Sequence, residues 1–263
     1  MEYEYKVLFL DIDGTIIKPD HTYTESTKEA ITQILKSGME VFIATGRPIH
    51  EVKNLAKELH IQSIIGQNGA LAVYNNKTIV EEPMNRKQIE RFLDIAKENS
   101  HELILFTNEK NYVTSMDHPK VQYFLETFQM NNNAIFTEAV IERILGVTVM
   151  NVDPEQTALY EFEDKIRLSQ VNVEGNKHAY DIIRTNVNKG EAVKKVLQYL
   201  QISKEQAIAF GDGMNDKEML QAVGESFAME NANPNLFQYA KYKTASVTDS
   251  GIYHGLKTLG LVK

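Results

Sequence analysis

The chain opens with a short uninterrupted apolar run, Val7-Leu8-Phe9-Leu10. Runs of this kind suit strands buried on both faces of a parallel sheet. A helical pattern follows from about Glu25 to Ser37. Ala30, Ile31, Ile34 and Leu35 form its stripe, and Gly38 stands at its C-terminal stop. Glu40–Ala44 predicts a second buried strand. Pro48 then sits where a helix begins, and Ile49, Val52, Leu55, Ala56 and Leu59 make that helix's apolar face. Ser63–Ile65 predicts a third strand. Strand, helix, strand, helix, strand argues for a parallel α/β sheet.

After Gly66 the rhythm changes. Ala70–Tyr74 and Thr78–Val80 predict a hairpin about Asn75-Asn76. From about Glu82 to Arg184 come two helical patterns, one carrying Ile89, Phe92, Leu93 and Ala96 and the other Val121, Phe124, Leu125 and Phe128. Leu103–Phe106, Gly146–Val152 and Ala179–Ile183 predict strands among them. The α/β rhythm resumes at Asn188, with a helix from Lys189, a strand at Ala207–Phe210, a helix at Lys217–Val223 and a strand at Ser226–Met229. The simplest organisation is one α/β domain built from both chain ends, residues 1–81 and 187–263. An α+β domain, residues 82–186, is inserted in it.

Composition narrows the classes. A chain of 263 residues, 43% apolar and 24% charged, is that of an ordinary globular protein. No apolar run approaches the roughly 20 residues that span a bilayer, and the first residues resemble no signal or transit peptide. The net charge of −8 disfavours a broad nucleic-acid surface. With no cysteine, thiolate catalysis and zinc–cysteine sites are excluded. Seven scattered histidines form no HExxH pair. The expectation is a cytoplasmic protein with neither a membrane nor a nucleic-acid partner, and no protein partner is evident.

Four polar clusters remain, each beside a predicted strand end or helix start. Asp11-Ile12-Asp13-Gly14-Thr15 ends the first strand, at the sheet edge where α/β proteins bind ligands. In extended chain its two carboxylates would project to one side and need a cation or a shared proton. A solvated strand-end turn explains that cluster equally well. Thr45-Gly46-Arg47-Pro48 offers a hydroxyl and a backbone N–H at a helix start, where a phosphate oxygen fits, as does an ordinary strand–helix turn. Lys189 opens a helix, where the dipole is already positive, and makes more sense with an anion nearby. Gly211-Asp212-Gly213-Met214-Asn215-Asp216 would aim two carboxylates at the same edge, enough for Mg²⁺, which keeps several waters, or would simply cap the next helix. Four such coincidences at one edge favour a single site.

Together these residues resemble the four motifs of the haloacid dehalogenase superfamily. DIDGT matches its DxDGT, Thr45 its second motif, Lys189 its third, and GDGMND its GDGxND. The long gap between the second and third motifs, and Gly66-Gln67-Asn68-Gly69-Ala70, resemble the Cof-type phosphatases. The resemblance implies a Rossmann-like, doubly wound parallel sheet core with an inserted C2-type cap. It also implies a Mg²⁺-dependent phosphatase acting on small phosphorylated metabolites, such as sugar phosphates or phosphorylated cofactors. Asp11 is then the nucleophile that becomes an aspartyl-phosphate, and Asp13 the acid–base group. Asp11, the Asp13 carbonyl and Asp212 would hold the metal, with Asp216 orienting its water shell. Lys189 would neutralise Asp11 and the phosphoryl group, which Ile12, Thr45, Gly46 and Asn215 would also hold.

Two stretches depart from the family pattern. Glu230 stands where the family usually has Gly, and Thr248-Asp249-Ser250-Gly251 lacks a second acid before its Gly. Arg47 either binds substrate or caps its own loop. His178 and Arg184 read as surface polar residues, and Tyr112, His118 and Tyr123 as packing. A phosphomutase or phosphotransferase on the same site is an alternative, as is a catalytically silent phosphometabolite-binding regulator.

Overall fold

The computed structural model describes residues 4–171 and 173–263. The elements in chain order are β1 (Val7–Leu10), α1 (Glu25–Lys36), β2 (Glu40–Ala44), α2 (Ile49–Glu58), β3 (Ser63–Gly66), β4 (Leu71–Tyr74) and β5 (Lys77–Glu81). Next come α3 (Arg86–Asn99), β6 (Glu102–Phe106), β7 (Asn111–Val113), α4 (Pro119–Thr127), β8 (Asn133–Ile135), β9 (Gly146–Met150), β10 (Ile166–Gln170) and β11 (Tyr180–Arg184). The chain ends with α5 (Lys189–Leu200), β12 (Ala207–Gly211), α6 (Lys217–Gln221), β13 (Glu225–Ala228), β14 (Tyr242–Lys243) and α7 (Gly251–Thr258). Two compact units result: Met1–Val80 with Asn188–Lys263, and Glu81–Val187.

The first unit is built on one sheet of order β14-β13-β12-β1-β2-β3-β4-β5. From β14 to β3 every neighbouring pair is parallel, and β4 turns antiparallel to β3. This is the Rossmann-like, doubly wound sheet that the sequence predicts. The apolar runs of β1 and β2 are buried throughout because helices cover both faces of a parallel sheet. On one face, Phe9 and Phe42 pack in a cluster with Val193, Val196 and Leu197 of α5. Each such side chain contributes roughly 1.5–3 kcal/mol on burial. α1 starts where the Thr24 hydroxyl accepts the Thr27 N–H, and it buries Thr27, Ala30, Ile31 and Ile34 at helical spacing. The predicted hairpin turns at Asn75 and Asn76, with φ of 47° and 65°. Two left-handed residues in a row match the strand twist of a two-residue hairpin.

The second unit holds a sheet of order β10-β11-β9-β6-β7-β8. Its period-two pattern is plain in β6. Leu103 and Leu105 join the cluster under α3, while Ile104 joins the one under α4. Asn85 caps α3 in a reciprocal pair with Gln88. Arg184 corrects the sequence expectation of a surface residue. Its guanidinium donates to the carbonyls of Glu82 at 2.7 Å, Leu145 at 3.0 Å and Pro83 at 3.2 Å. Burial lowers its pKa to about 10, against the pull of Glu82. The residue thus binds the beginning of this unit to its end. No helix among the described residues is long and apolar enough to cross a membrane.

Candidate active site

β1 and β12 are parallel neighbours, with Leu10 opposite Phe210. The strand order reverses here: β2 follows on one side of β1, whereas β12 and β13 lie on the other. Such switch points are where open α/β sheets leave a crevice for ligands. Asp11 leaves β1 at this point, and Asp212 leaves β12 just beyond Gly211. Carboxylate oxygens of Asp11, Asp212 and Asp216 all lie within 4.8 Å of one another. Lys189 reaches the same cluster. Its Nζ donates to Asp11 Oδ1 and to Asp216 Oδ1, each at 2.6 Å. Lys189 and Asp216 have no exposed surface, and Asp11 is 7% exposed.

Local backbone chemistry fixes each group. Asn188 caps α5 by accepting the Glu191 N–H, which sets Lys189 at the first helical position. Gly69, at φ +99°, lets the chain pass Asn188: a Cβ there would stand 2.3 Å from the Asn188 carbonyl oxygen. Asp216 turns its second oxygen back to accept the N–H groups of Asp212 at 2.9 Å and Gly213 at 3.0 Å. Both of its oxygens are therefore engaged within the protein. The Thr15 hydroxyl donates to Asp212 Oδ1 at 2.8 Å. Gly14, at φ +86°, accommodates Asp212, because a Cβ there would fall 2.2 Å from Asp212 Oδ2.

Charge is out of balance in this cluster. Burial pushes the Asp11 carboxyl well above its ordinary range, and Asp216 and Asp212 add to the rise while Lys189 opposes it. Burial, then Asp216, raises Asp212 to about 6. Burial disfavours the Lys189 ammonium, but Asp11 and Asp216 outweigh it and raise its pKa. One ammonium does not neutralise three carboxylates, two of them buried and Asp212 half-buried.

Beyond Asp11 the chain is no longer extended. The N–H groups of Thr15, Ile16 and Ile17 all converge on the Ile12 carbonyl, and Gly14 N–H bonds the Ile17 carbonyl. Asp11 points into the cluster, while the Asp13 side chain is 51% exposed. Arg47 meets it there, with Nε donating to Asp13 Oδ2 at 2.8 Å and Nη2 donating to Asp13 Oδ1. The Arg47 side chain is thus paired with Asp13 in this structure.

Thr45 is buried, and its hydroxyl accepts the Arg47 N–H at 3.1 Å. The Thr45 carbonyl accepts the Asn68 N–H at 3.0 Å. Asn68 in turn accepts from the Asn215 amide at 2.9 Å, so the turn after β2 and the loop after β12 are joined. Gln67 and Asn68 both take left-handed conformations, with φ of 48° and 51°. Strained non-glycine residues of this kind cluster at functional sites. Asn231 was likewise not predicted as a site residue. It donates to the Gly14 carbonyl at 2.9 Å and accepts the Val247 N–H at 2.8 Å. Glu230, beside it, is exposed. The signal for Asn68 was its place in GQNGA, before a glycine with positive φ, and that for Asn231 was its place in Ala228–Ala232, a stretch resembling the family.

Hard carboxylate oxygens with excess negative charge fit a magnesium-sized cation. Lys189 adds one positive charge beside Asp11.

Known proteins agree with this chemistry. The sequence profile of the haloacid dehalogenase-like hydrolases matches residues 8–256. A protein of Bacillus subtilis (strain 168) named "Putative phosphatase YkrA" is 33% identical, over 98% of this chain and 99% of its own. A second from the same organism, named "Putative phosphatase YxeH", is 26% identical over 98% of this chain and all of its own. The crystal structure of a hypothetical protein from Geobacillus kaustophilus HTA426 superimposes with a TM-score of 0.90 at 28% identity, covering 98% of this chain and 100% of that one. A match of this extent, on a chain carrying all four motifs, means that the protein belongs to the haloacid dehalogenase superfamily and is a phosphatase of its Cof type.

Proposed function

We propose that the protein is a Mg²⁺-dependent phosphatase that hydrolyses small phosphorylated metabolites through an aspartyl-phosphate on Asp11. The observation that carries this reading is the buried Asp11–Lys189–Asp216 chain beside Asp212, with its excess of negative charge. Asp11, Asp212 and the Asp13 carbonyl would hold the cation, and Asp216, engaged with Lys189 and backbone, would orient the surrounding water rather than bind metal. The bound ion supplies charge neutralisation that keeps Asp11 ionised and balances the phosphoryl oxygens.

In the first step an Asp11 oxygen attacks phosphorus, the bond to the leaving oxygen breaks, and Asp13 gives that oxygen its proton. In the second, the Asp13 carboxylate takes a proton from water. The water oxygen attacks phosphorus, and the bond to Asp11 breaks to release inorganic phosphate. Lys189 faces Asp11 throughout and neutralises the transferring group. Thr45, Gly46, Asn215 and the Ile12 N–H hold the remaining phosphate oxygens. Phosphoryl transfer asks mainly for such positioning and neutralisation. We assign catalysis to the unit formed by both chain ends and substrate selection to Glu81–Val187 as a C2-type cap.

The test is phosphate release from p-nitrophenyl phosphate and a panel of phosphorylated metabolites, with Asp11→Asn as the blank. Turnover that needs Mg²⁺ and falls at least ~10⁴-fold in the variant is expected. Metal-independent release, or an equally active Asp11→Asn protein, overturns the reading.

A further inference from the structure

Arg47 grips Asp13 by both carboxylate oxygens, from Nε and Nη2, a planar fork that lysine does not make. The base of this fork is itself fixed. The Arg47 N–H donates to the Thr45 hydroxyl, and its carbonyl accepts the Gln67 N–H at 3.0 Å. The two paired side chains keep 33% and 51% of their surface exposed. Ion pairs that exposed add little to stability, and an unpaired aspartate there would exchange rotamers freely. The fork therefore constrains orientation far more than it holds the fold.

A carboxylate oxygen has two lone pairs, and the guanidinium occupies one on each oxygen, so another remains for the transferable proton. Building on the reading of Asp13 as the acid–base group, we propose that Arg47 is a positioning residue. It fixes the plane and rotamer of the Asp13 carboxyl, so that the proton reaches the leaving oxygen without a search. In that step the proton passes from Asp13 to the leaving oxygen as the phosphorus–oxygen bond breaks. Arg47 itself exchanges no proton and touches no reacting atom.

The leaving group separates this role from others. An alkoxide needs a proton as it departs, whereas p-nitrophenolate departs well without one. The experiment measures kcat/KM, which reports the first phosphoryl transfer, for glycerol phosphate and p-nitrophenyl phosphate. The proteins are wild type, Arg47→Gln, Arg47→Lys, Asp13→Asn and the Asp13→Asn/Arg47→Gln double variant. Both Arg47 variants should lose about 10- to 100-fold on the alkyl ester, a share of what a general acid supplies. Their loss on the aryl ester should be at least ~10-fold smaller, since only the acid's contribution is at stake. The double variant should be no worse than Asp13→Asn on the alkyl ester, because Arg47 acts only through Asp13.

Equal losses on both esters in Arg47→Lys, with a raised KM, would make Arg47 a substrate ligand and overturn the proposal. So would full alkyl activity in Arg47→Gln. Residual aryl turnover shows that a variant is folded; should Arg47→Gln fail to fold, Arg47→Lys decides the matter. If Asp13→Asn itself loses equally on both esters, the acid–base reading falls and this proposal with it. If Asp13→Asn discriminates and the Arg47 variants do not, only the positioning role falls.

Discussion

Two regions hold buried polar groups in opposite balance. In the Glu81–Val187 unit, buried His101 sits between the Tyr160 hydroxyl at 2.9 Å and the Gln156 side-chain oxygen at 3.0 Å. The Thr148 hydroxyl donates to Asp181 at 2.6 Å, and Arg184 meets three carbonyls. These groups find hydrogen-bond partners inside the fold, and where burial raises the Asp181 carboxyl no second carboxylate adds to the rise and the Thr148 hydroxyl opposes it. At the β1–β12 edge, by contrast, three carboxylates share one ammonium, and two of them are raised above their ordinary range. The first arrangement serves stability. The second stores repulsion that a bound cation or a proton relieves, an imbalance expected of a binding site rather than of a core.

The largest test of this contrast removes the one compensating charge. Lys189→Met keeps the length of the side chain but leaves Asp11 and Asp216 buried without their ammonium. Breaking a buried pair in this way costs about 3–5 kcal/mol. Urea unfolding at pH 7.5 should show a loss of that order, together with loss of phosphatase activity. A variant as stable as wild type would mean that the cluster is already neutral, and the contrast would dissolve.

A smaller effect is expected on the other side. Arg184→Met removes the donor to the carbonyls of Glu82, Pro83 and Leu145, and water replaces it only in part. A loss of about 1–3 kcal/mol is expected, the cost of leaving such acceptors unpaired. Amide hydrogen exchange should quicken around residues 82–84 and 144–146, where Met84 N–H bonds the Ile144 carbonyl. Unchanged exchange there would show that Arg184 does not hold these segments together.

Much of the first unit was legible because β1 is an unbroken apolar run and because α1 and α5 each carry an apolar stripe and a side-chain cap. The acids of the cluster could be placed from the coincidence of four polar clusters at one sheet edge and from their family resemblance. What the sequence hid depended on turns and on distance. The Asp13 side chain meets Arg47 from a tight turn, where the Ile12 carbonyl gathers three N–H groups and ends the strand's alternation. Asn68 and Asn215 meet although 147 residues separate them, and only the neighbouring positions of the loops bring them together. Arg184 looked like a surface charge because nothing in its sequence neighbourhood announces three carbonyl partners. In the inserted unit, the three-residue strands β7 and β8 are too short for periodicity to register.

A third effect, of similar size, has the most telling sign. Asp212 has its pKa raised to about 6, by burial first and then by Asp216. Without metal, the folded protein then holds a proton on Asp212 between about pH 4 and 6, where the unfolded chain has released it. Stability therefore falls as pH rises through that window, and the penalty is complete above it. Asp212→Asn removes the charge yet keeps an oxygen to accept the Thr15 hydroxyl. In EDTA it should be more stable than wild type by about 2 kcal/mol at pH 7.5, with the gain fading toward pH 4. Adding Mg²⁺ should raise the melting temperature of wild type and narrow the difference, since a ligand that binds only the folded state stabilises it. Thermal melts from pH 4 to 8 measure both. A gain that did not depend on pH would come from packing rather than from charge, and the β1–β12 edge would then be no different in kind from the interior of the inserted unit.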